Sequence, residues 1–301
     1  MIILPINNID FDKIEIISMP LHSGCNLMCP YCPRFVMKGL PHERVFTPKD
    51  TIDFFIEYVV KKCKNLKVLN MSAINQPIME IEDVVLHNEM IDRIKSIHPE
   101  IKVKICSNMV VTSKYNFEDV LNLKCDVIHL SKHKKNELWV DDFIDKIDTM
   151  NVSYNIYMNK KTNKIAIVEI GNKKYIFHPN YEEFDGVKLD EYKKVIEKFD
   201  YPIVNIHNKM DFINHVSNEG QEHCKMNILK LDFQGYIFPC ICSGSLINKD
   251  LSYGRILDGE YIETKIRDFT DCNYCQLPKF TDSSIDINLN KYAKFEIHKE
   301  K

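Results

Sequence analysis

Arginine is scarce in this chain. Only five are present, at positions 34, 44, 93, 255 and 267, within a combined Lys and Arg count of 40. Arg is the preferred fork for phosphate, and the net charge is −3, so neither a nucleic-acid nor an anionic-membrane partner is expected. No apolar run approaches the ~20 residues of a bilayer span. The opening Met-Ile-Ile-Leu-Pro-Ile-Asn-Asn-Ile-Asp lacks the basic start and the cleavage site of a signal peptide, so a cytoplasmic location is expected. What remains is ordinary: 45% hydrophobic and 28% charged over 301 residues, enough for one large or two modest domains.

Cysteine is the exception. There are eleven, and without a secretion signal they argue against disulfides, because the cytosol is reducing. They cluster at 25, 29 and 32, and again at 224, 240, 242, 272 and 275, with Cys63, Cys106 and Cys125 scattered between. Two groups of thiols at opposite ends of a chain read as two metal centres, and the scattered three as core filling.

The first group lies in Ser-Gly-Cys-Asn-Leu-Met-Cys-Pro-Tyr-Cys-Pro-Arg, a C-x3-C-x2-C spacing. Three thiolates this close can wrap one small iron-sulfur cluster from a single loop. A cubane of four irons then keeps one iron without a protein ligand, open for chemistry. A structural zinc knuckle needs four ligands, and no obvious fourth is present here, although His22 and His42 are near in sequence.

The same run, with Tyr31 before the third cysteine, resembles the signature of the radical S-adenosylmethionine (SAM) enzymes. The resemblance implies that Cys25, Cys29 and Cys32 hold a [4Fe-4S] cluster whose fourth iron is chelated by the methionine end of SAM, and that Tyr31 lies against the adenine. Reduction of the cluster, by an external donor such as flavodoxin or ferredoxin, would split SAM into methionine and a 5′-deoxyadenosyl radical that takes a hydrogen atom from substrate.

Periodicity along the chain alternates strand and helix. Strands are expected at 14–19, 68–71, 101–106, 126–131, 152–158 and 202–206, and helices at 47–62, 83–97, 117–123, 140–150 and 187–199. Thr47 reads as the cap of the first helix, with Pro48 in its first turn. Such alternation implies a parallel α/β sheet, with ligands gathering at the carboxyl ends of its strands. Six units fall short of a complete eight-fold barrel, and the resemblance implies a partial (β/α)6 barrel with the cluster loop after its first strand. Residues 160–179 interrupt the alternation and read as a β-hairpin turning at Gly171-Asn172, taken as an insertion after the fifth strand or a surface decoration.

The late cysteines follow a different plan. Cys224 and Cys240 are separated by ten residues, Gly235 and four more residues, and Cys272-Asn273-Tyr274-Cys275 follows. Four thiolates with no open valence suit a closed [4Fe-4S] cluster or an all-cysteine zinc site equally. Residues 226–232 and 236–238 read as a hairpin between the first two of them. The pattern resembles the start of the SPASM extension of radical SAM enzymes, in its shorter "twitch" form with one auxiliary [4Fe-4S] cluster on Cys224, Cys240, Cys272 and Cys275. The expected organisation is a barrel over 1–212 and a small α+β cluster domain over 213–301. Cys242 is left over; it can serve as an alternative ligand, as a hydrogen-atom donor to a substrate radical, or as an ordinary free thiol.

Where the family usually has Gly-Gly-Glu-Pro for the SAM amino group, this chain has Ser72-Ala73-Ile74-Asn75-Gln76-Pro77. Asn75 and Gln76 are thus the expected contacts, and a neutral amide lacks the charge assistance of a carboxylate. Asn108, after the third strand, and Ser131, at the end of the fourth, match positions that the family places near SAM. His129 and Ser131 fall on one face of their strand by alternation. The expected function is a radical SAM enzyme acting on a small molecule, a sugar or a peptide. With 24 residues before Cys25, a fused peptide-binding domain is not expected. The alternative is a non-catalytic or degenerate protein that binds iron-sulfur clusters or zinc.

Overall fold

The computed structural model describes residues 6, 9–27, 43–72, 75–108, 117–131, 139–160, 165–178, 227–239, 252–263 and 292–297. Within them, β1 (Ile16–Ser18), β2 (Val68–Asn70), β3 (Lys102–Ser107) and β4 (Val127–Ser131) are parallel neighbours in chain order. The links between them carry helices α1 (Lys49–Tyr58), α2 (Ile81–Ile97) and α3 (Phe117–Leu121), and α4 (Trp139–Thr149) follows β4. These are the strand-helix units expected from periodicity, with ends shifted by a few residues. The helix and strand expected at 187–199 and 202–206 lie outside the described residues.

The sequence after α4 takes a course that local pattern did not reveal. β5 (Tyr154–Asn159), β6 (Ile165–Ile170) and β7 (Lys173–His178) form an antiparallel meander, and β7, rather than β5, lies parallel beside β4. The hairpin is therefore part of the sheet: its second strand takes the place expected for 152–158. The turn itself is as expected, with two residues between paired Ile170 and Lys173 and Gly171 at φ 57°. Aromatic packing accompanies this placement. Phe143 of α4 packs tilted against Tyr175 at 4.9 Å and meets Phe177 edge-on at 5.3 Å between ring centroids, so the two aromatics of β7 cover the helix that follows β4.

The other side of the sheet is also extended by late sequence. β8 (Ile228–Leu231) lies parallel to β1, and β9 (Tyr236–Phe238), β10 (Gly254–Leu257) and β11 (Glu260–Glu263) continue antiparallel from it. β12 (Tyr292–Ile297) pairs with β5 at the opposite edge. Strands from both sides of residue 212 thus share one mixed sheet, in the order β11-β10-β9-β8-β1-β2-β3-β4-β7-β6-β5-β12. The expected hairpin over 226–238 is β8–β9. Its turn needs Gly235, at φ 87°, where an added Cβ would sit 2.2 Å from the Ile256 carbonyl oxygen.

Register separates the sheet into two unlike faces. Leu229, Ile17, Leu69, Val103, Ile128 and Tyr175 alternate onto one face and belong to the buried apolar core. The opposite face carries a row running Lys230, Ser18, Asn70, Lys104, Val127, Lys174 across six adjacent strands. Lys230, Ser18 and Lys104 are buried. The face is mixed, since the neighbouring row Ile228, Ile16, Val68 lies on the same side and is buried and apolar. Among the described residues, no helix is long and apolar enough to cross a membrane.

Candidate functional site

Seven residues beyond the end of β1 stands Cys25, a free, half-buried thiol. The segment that carries it is tied at both ends. Ser23 donates its backbone N–H to Val45 O at 3.0 Å, and Thr47 donates its own to Leu21 O at 2.8 Å, bracketing a bridge between His22 and Phe46. Thr47 does not cap α1 with its side chain; its hydroxyl donates to Pro20 O at 3.0 Å. The residues that would cap the helix instead close the neck of the cysteine loop. Gly24, just before Cys25, permits this: an added Cβ would meet Met79 Sδ at 2.7 Å and the Arg44 backbone at 3.1 Å.

Beneath the neck lies a buried charge centre. His22 Nδ1 accepts the Gly24 N–H at 3.1 Å, which leaves the ring proton on Nε2, directed at Pro77 O at 3.2 Å with Asp83 Oδ2 at 3.5 Å. Asp83 also receives Arg44 at 2.8 Å and the backbone N–H groups of Met79 and Glu80 at 2.7 and 2.9 Å. Burial pushes the Asp83 carboxyl up, but hydrogen bonds from His22, Met79 and Glu80 outweigh it and hold it below the ordinary carboxylate range. With Glu80, Asp83 completes a capping box at the start of α2. One carboxylate thus joins the entry of the cysteine loop, its exit at Arg44, the turn after β2 and a helix N-terminus.

Gln76 makes the second junction. Its backbone N–H donates to Gly24 O at 2.9 Å, its Nε2 donates to Ile78 O at 2.9 Å and Ser107 Oγ at 2.7 Å, and its Oε1 accepts the Asn108 N–H at 2.8 Å. The Asn108 side chain in turn donates to Asn26 Oδ1 at 2.8 Å, one residue past Cys25. Ser72 bridges alongside, accepting the Cys106 N–H at 2.6 Å, while Ser18 donates to Ser72 O at 3.1 Å. The ends of β1, β2 and β3 are therefore stitched into one polar layer beside Cys25.

Of the residues singled out by sequence, the structure gathers Cys25, Gln76 and Asn108 at this layer, with Asn75 adjacent in the chain. Ser131 ends β4, paired with His178 two strands from β2. Tyr31, Cys29, Cys32, Cys224, Cys240, Cys242, Cys272 and Cys275 lie outside the described residues. Among those described, no three His, Cys, Asp or Glu side chains gather as a metal site. Cys63 and Cys125 are core residues, as expected, and burial pushes each thiol up to about 12. Cys106 is only half-buried.

No family model and no curated protein matches the chain. Among solved structures it is similar to BtrN in complex with AdoMet and 2-DOIA, at 12% identity over 80% of this chain and 78% of that one, with a TM-score of 0.45. It is also similar to Streptococcus suis SuiB bound to precursor peptide SuiA, at 12% identity over 88% of this chain and 65% of that one, with a TM-score of 0.38. Likeness at this level assigns neither a fold nor an activity.

The donor types present fit the groups that the sequence resemblance implies: a thiol loop for iron, and buried amides and hydroxyls at strand ends for a polar ligand. Ser18, Asn26 and Asp83 were missed from sequence, and His22 and Ser72 were named there without these roles. Lys104 and Lys230 were also missed; Lys230 interrupts an otherwise apolar strand with a charge, whereas the strand of Lys104 carries Lys102 too.

Proposed function

We propose that the chain is a radical SAM enzyme with one auxiliary iron-sulfur cluster. The single observation that carries this reading is the C-x3-C-x2-C loop of Cys25, Cys29 and Cys32, rooted after the first of several parallel strands. Ligands of parallel sheets collect at that end of the strands. When bound at these thiols, a [4Fe-4S] cluster supplies the electron that cleaves SAM to methionine and a 5′-deoxyadenosyl radical, which takes a hydrogen atom from substrate.

The chain's own residues then have distinct tasks. Cys25, Cys29 and Cys32 hold the cluster, and the closed neck at Ser23–Val45 keeps the first of them at a fixed height above β1. Asn75, Asn108 and Ser131 line the strand ends where SAM lies, and Tyr31 covers its adenine. Cys224, Cys240, Cys272 and Cys275 would hold the auxiliary cluster, which would supply an electron acceptor for oxidation or a seat for the substrate. Cys242 would serve as a hydrogen-atom donor to a substrate radical, as an alternative cluster ligand or as an ordinary free thiol. The substrate is a small molecule, a sugar or a peptide, held on the mixed face of a partial barrel, with an external flavodoxin or ferredoxin as reductant and the cytoplasm as location.

Anaerobic reconstitution with iron and sulfide tests this reading. The full chain is expected to take up about eight irons, and a Cys25→Ala, Cys29→Ala, Cys32→Ala variant about four. A colourless protein that retains zinc contradicts it and favours the zinc-scaffold alternative. Two clusters without SAM cleavage favour a degenerate relative, a reading that the Asn75-Gln76 substitution keeps specific.

A further inference from the structure

We infer that Gln76 is a positioning residue whose side chain is spent on the protein itself, so that the amide, and not a carboxylate, is what this fold requires at position 76. This deepens the reading above, in which position 76 stands where a carboxylate would meet the SAM amino group.

The orientation of the amide is fixed by two backbone groups. Asn108 N–H is a donor and must face oxygen, and Ile78 O is an acceptor and must face nitrogen; both are met, at 2.8 and 2.9 Å. The remaining Nε2 proton goes to Ser107 Oγ at 2.7 Å. Both protons are thus used inside the protein, the oxygen accepts from Asn108, and the residue is 2% exposed. What the side chain does is set the layout of the site: it spaces the turn after β2 from the end of β3, and it fixes the backbone of Asn108, whose side chain reaches Asn26 beside Cys25 at 2.8 Å.

A glutamate is the same size and reproduces half of this. One oxygen accepts from Asn108, but the other then faces Ile78 O at hydrogen-bond distance, acceptor against acceptor, unless it carries a proton. The titratable and charged groups around this corner among the described residues are His22, whose Nε2 faces Pro77 O, Asp83 and Arg44 behind it, and the thiols of Cys25 and Cys106. The side chain of residue 76 bonds instead to Ile78 O, Ser107 Oγ and the Asn108 N–H. A buried carboxyl that must donate to Ile78 O has a folded-state pKa above its unfolded value. Its contribution to stability is present below the unfolded pKa and is lost as pH rises through the folded one.

The test is thermal unfolding of the full reconstituted chain, with Gln76→Glu and Gln76→Leu beside the wild type, followed by SAM binding measured by equilibrium dialysis. At about pH 8 the glutamate variant is expected to melt roughly 4 °C or more below wild type, and the gap is expected to shrink by about half or more near pH 5. The leucine variant, which has no proton to gain, is expected to keep its gap at both pH values. SAM is expected to bind the glutamate variant about threefold or more weakly at pH 8, through displacement of Asn108. A glutamate variant as stable as wild type at pH 8, or one that binds SAM more tightly, overturns the inference. If wild type binds no SAM while the pH-dependent gap appears, the enzyme reading fails and the role of Gln76 stands.

Discussion

His22 and Asp83 meet at 3.5 Å with neither side chain exposed, directly under the neck of the cysteine loop. The pair joins the segment that delivers Cys25 to the helix that follows β2, so the height of the cysteine loop and the position of α2 are set together. Arg44, on the returning arm of the loop, completes the arrangement from the other side of Asp83.

Replacing Asp83 with Ala strands Arg44 and the N–H groups of Met79 and Glu80. A cost of roughly 2–4 kcal/mol is expected, read as a lower denaturant midpoint at pH 7. Because the Asp83 carboxyl is held below its ordinary range, its contribution in the wild type is present above the unfolded value near 4 and is lost as pH falls through the lower folded value. The wild type is therefore expected to lose more stability than the variant as pH falls through that window. Equal losses contradict the role given to Asp83.

His87 offers a second pH-dependent term of opposite chemistry. It is fully buried on α2, its Nδ1 donates to Asp83 O at 2.5 Å, and burial lowers its pKa to about 4. The unfolded chain takes up a proton near 6.5 that the folded chain refuses, so stability rises with pH from about 4 to 6.5 and is complete above that. His87→Leu is expected to flatten the pH dependence of the unfolding midpoint over this interval, by on the order of 1–3 kcal/mol between its ends. An unchanged slope shows that the imidazole is not the group responsible.

Cys63 and Cys125 are expected to resist alkylation in the folded chain, since burial pushes both thiols up to about 12 and leaves almost no thiolate at pH 8. Peptide mass spectrometry after a brief iodoacetamide pulse is expected to find both unmodified until denaturant is added. Labelling at the rate of an exposed thiol contradicts their place in the core.

Much of this fold was legible in the sequence because its signals are local. Ile52, Phe55 and Ile56 recur at helical spacing and are buried on α1, and the run Val68-Leu69-Asn70 stands as β2. The Gly171 turn was legible for the same reason. Partner choice was not: β5 and β7 both carry apolar residues, and the fit of Tyr175 and Phe177 around Phe143 accompanies the place of β7 beside β4. Nor does the sequence of β8 say that it will flank β1, a contact between positions more than two hundred residues apart. At the site, the thiol spacing was legible because cluster chemistry demands it. The use of Gln76 and Thr47 as braces was not, because most of their partners are backbone groups that no pattern records.

The central claim is that the thiols of Cys25, Cys29 and Cys32 support reductive cleavage of SAM. The most direct measurement is 5′-deoxyadenosine formed from SAM by the anaerobically reconstituted chain under a strong reductant, beside the Cys25→Ala, Cys29→Ala, Cys32→Ala variant. The account predicts 5′-deoxyadenosine from the wild type and none from the variant, with the variant still holding about four irons. Equal product from both, or none from a wild type carrying about eight irons, contradicts it.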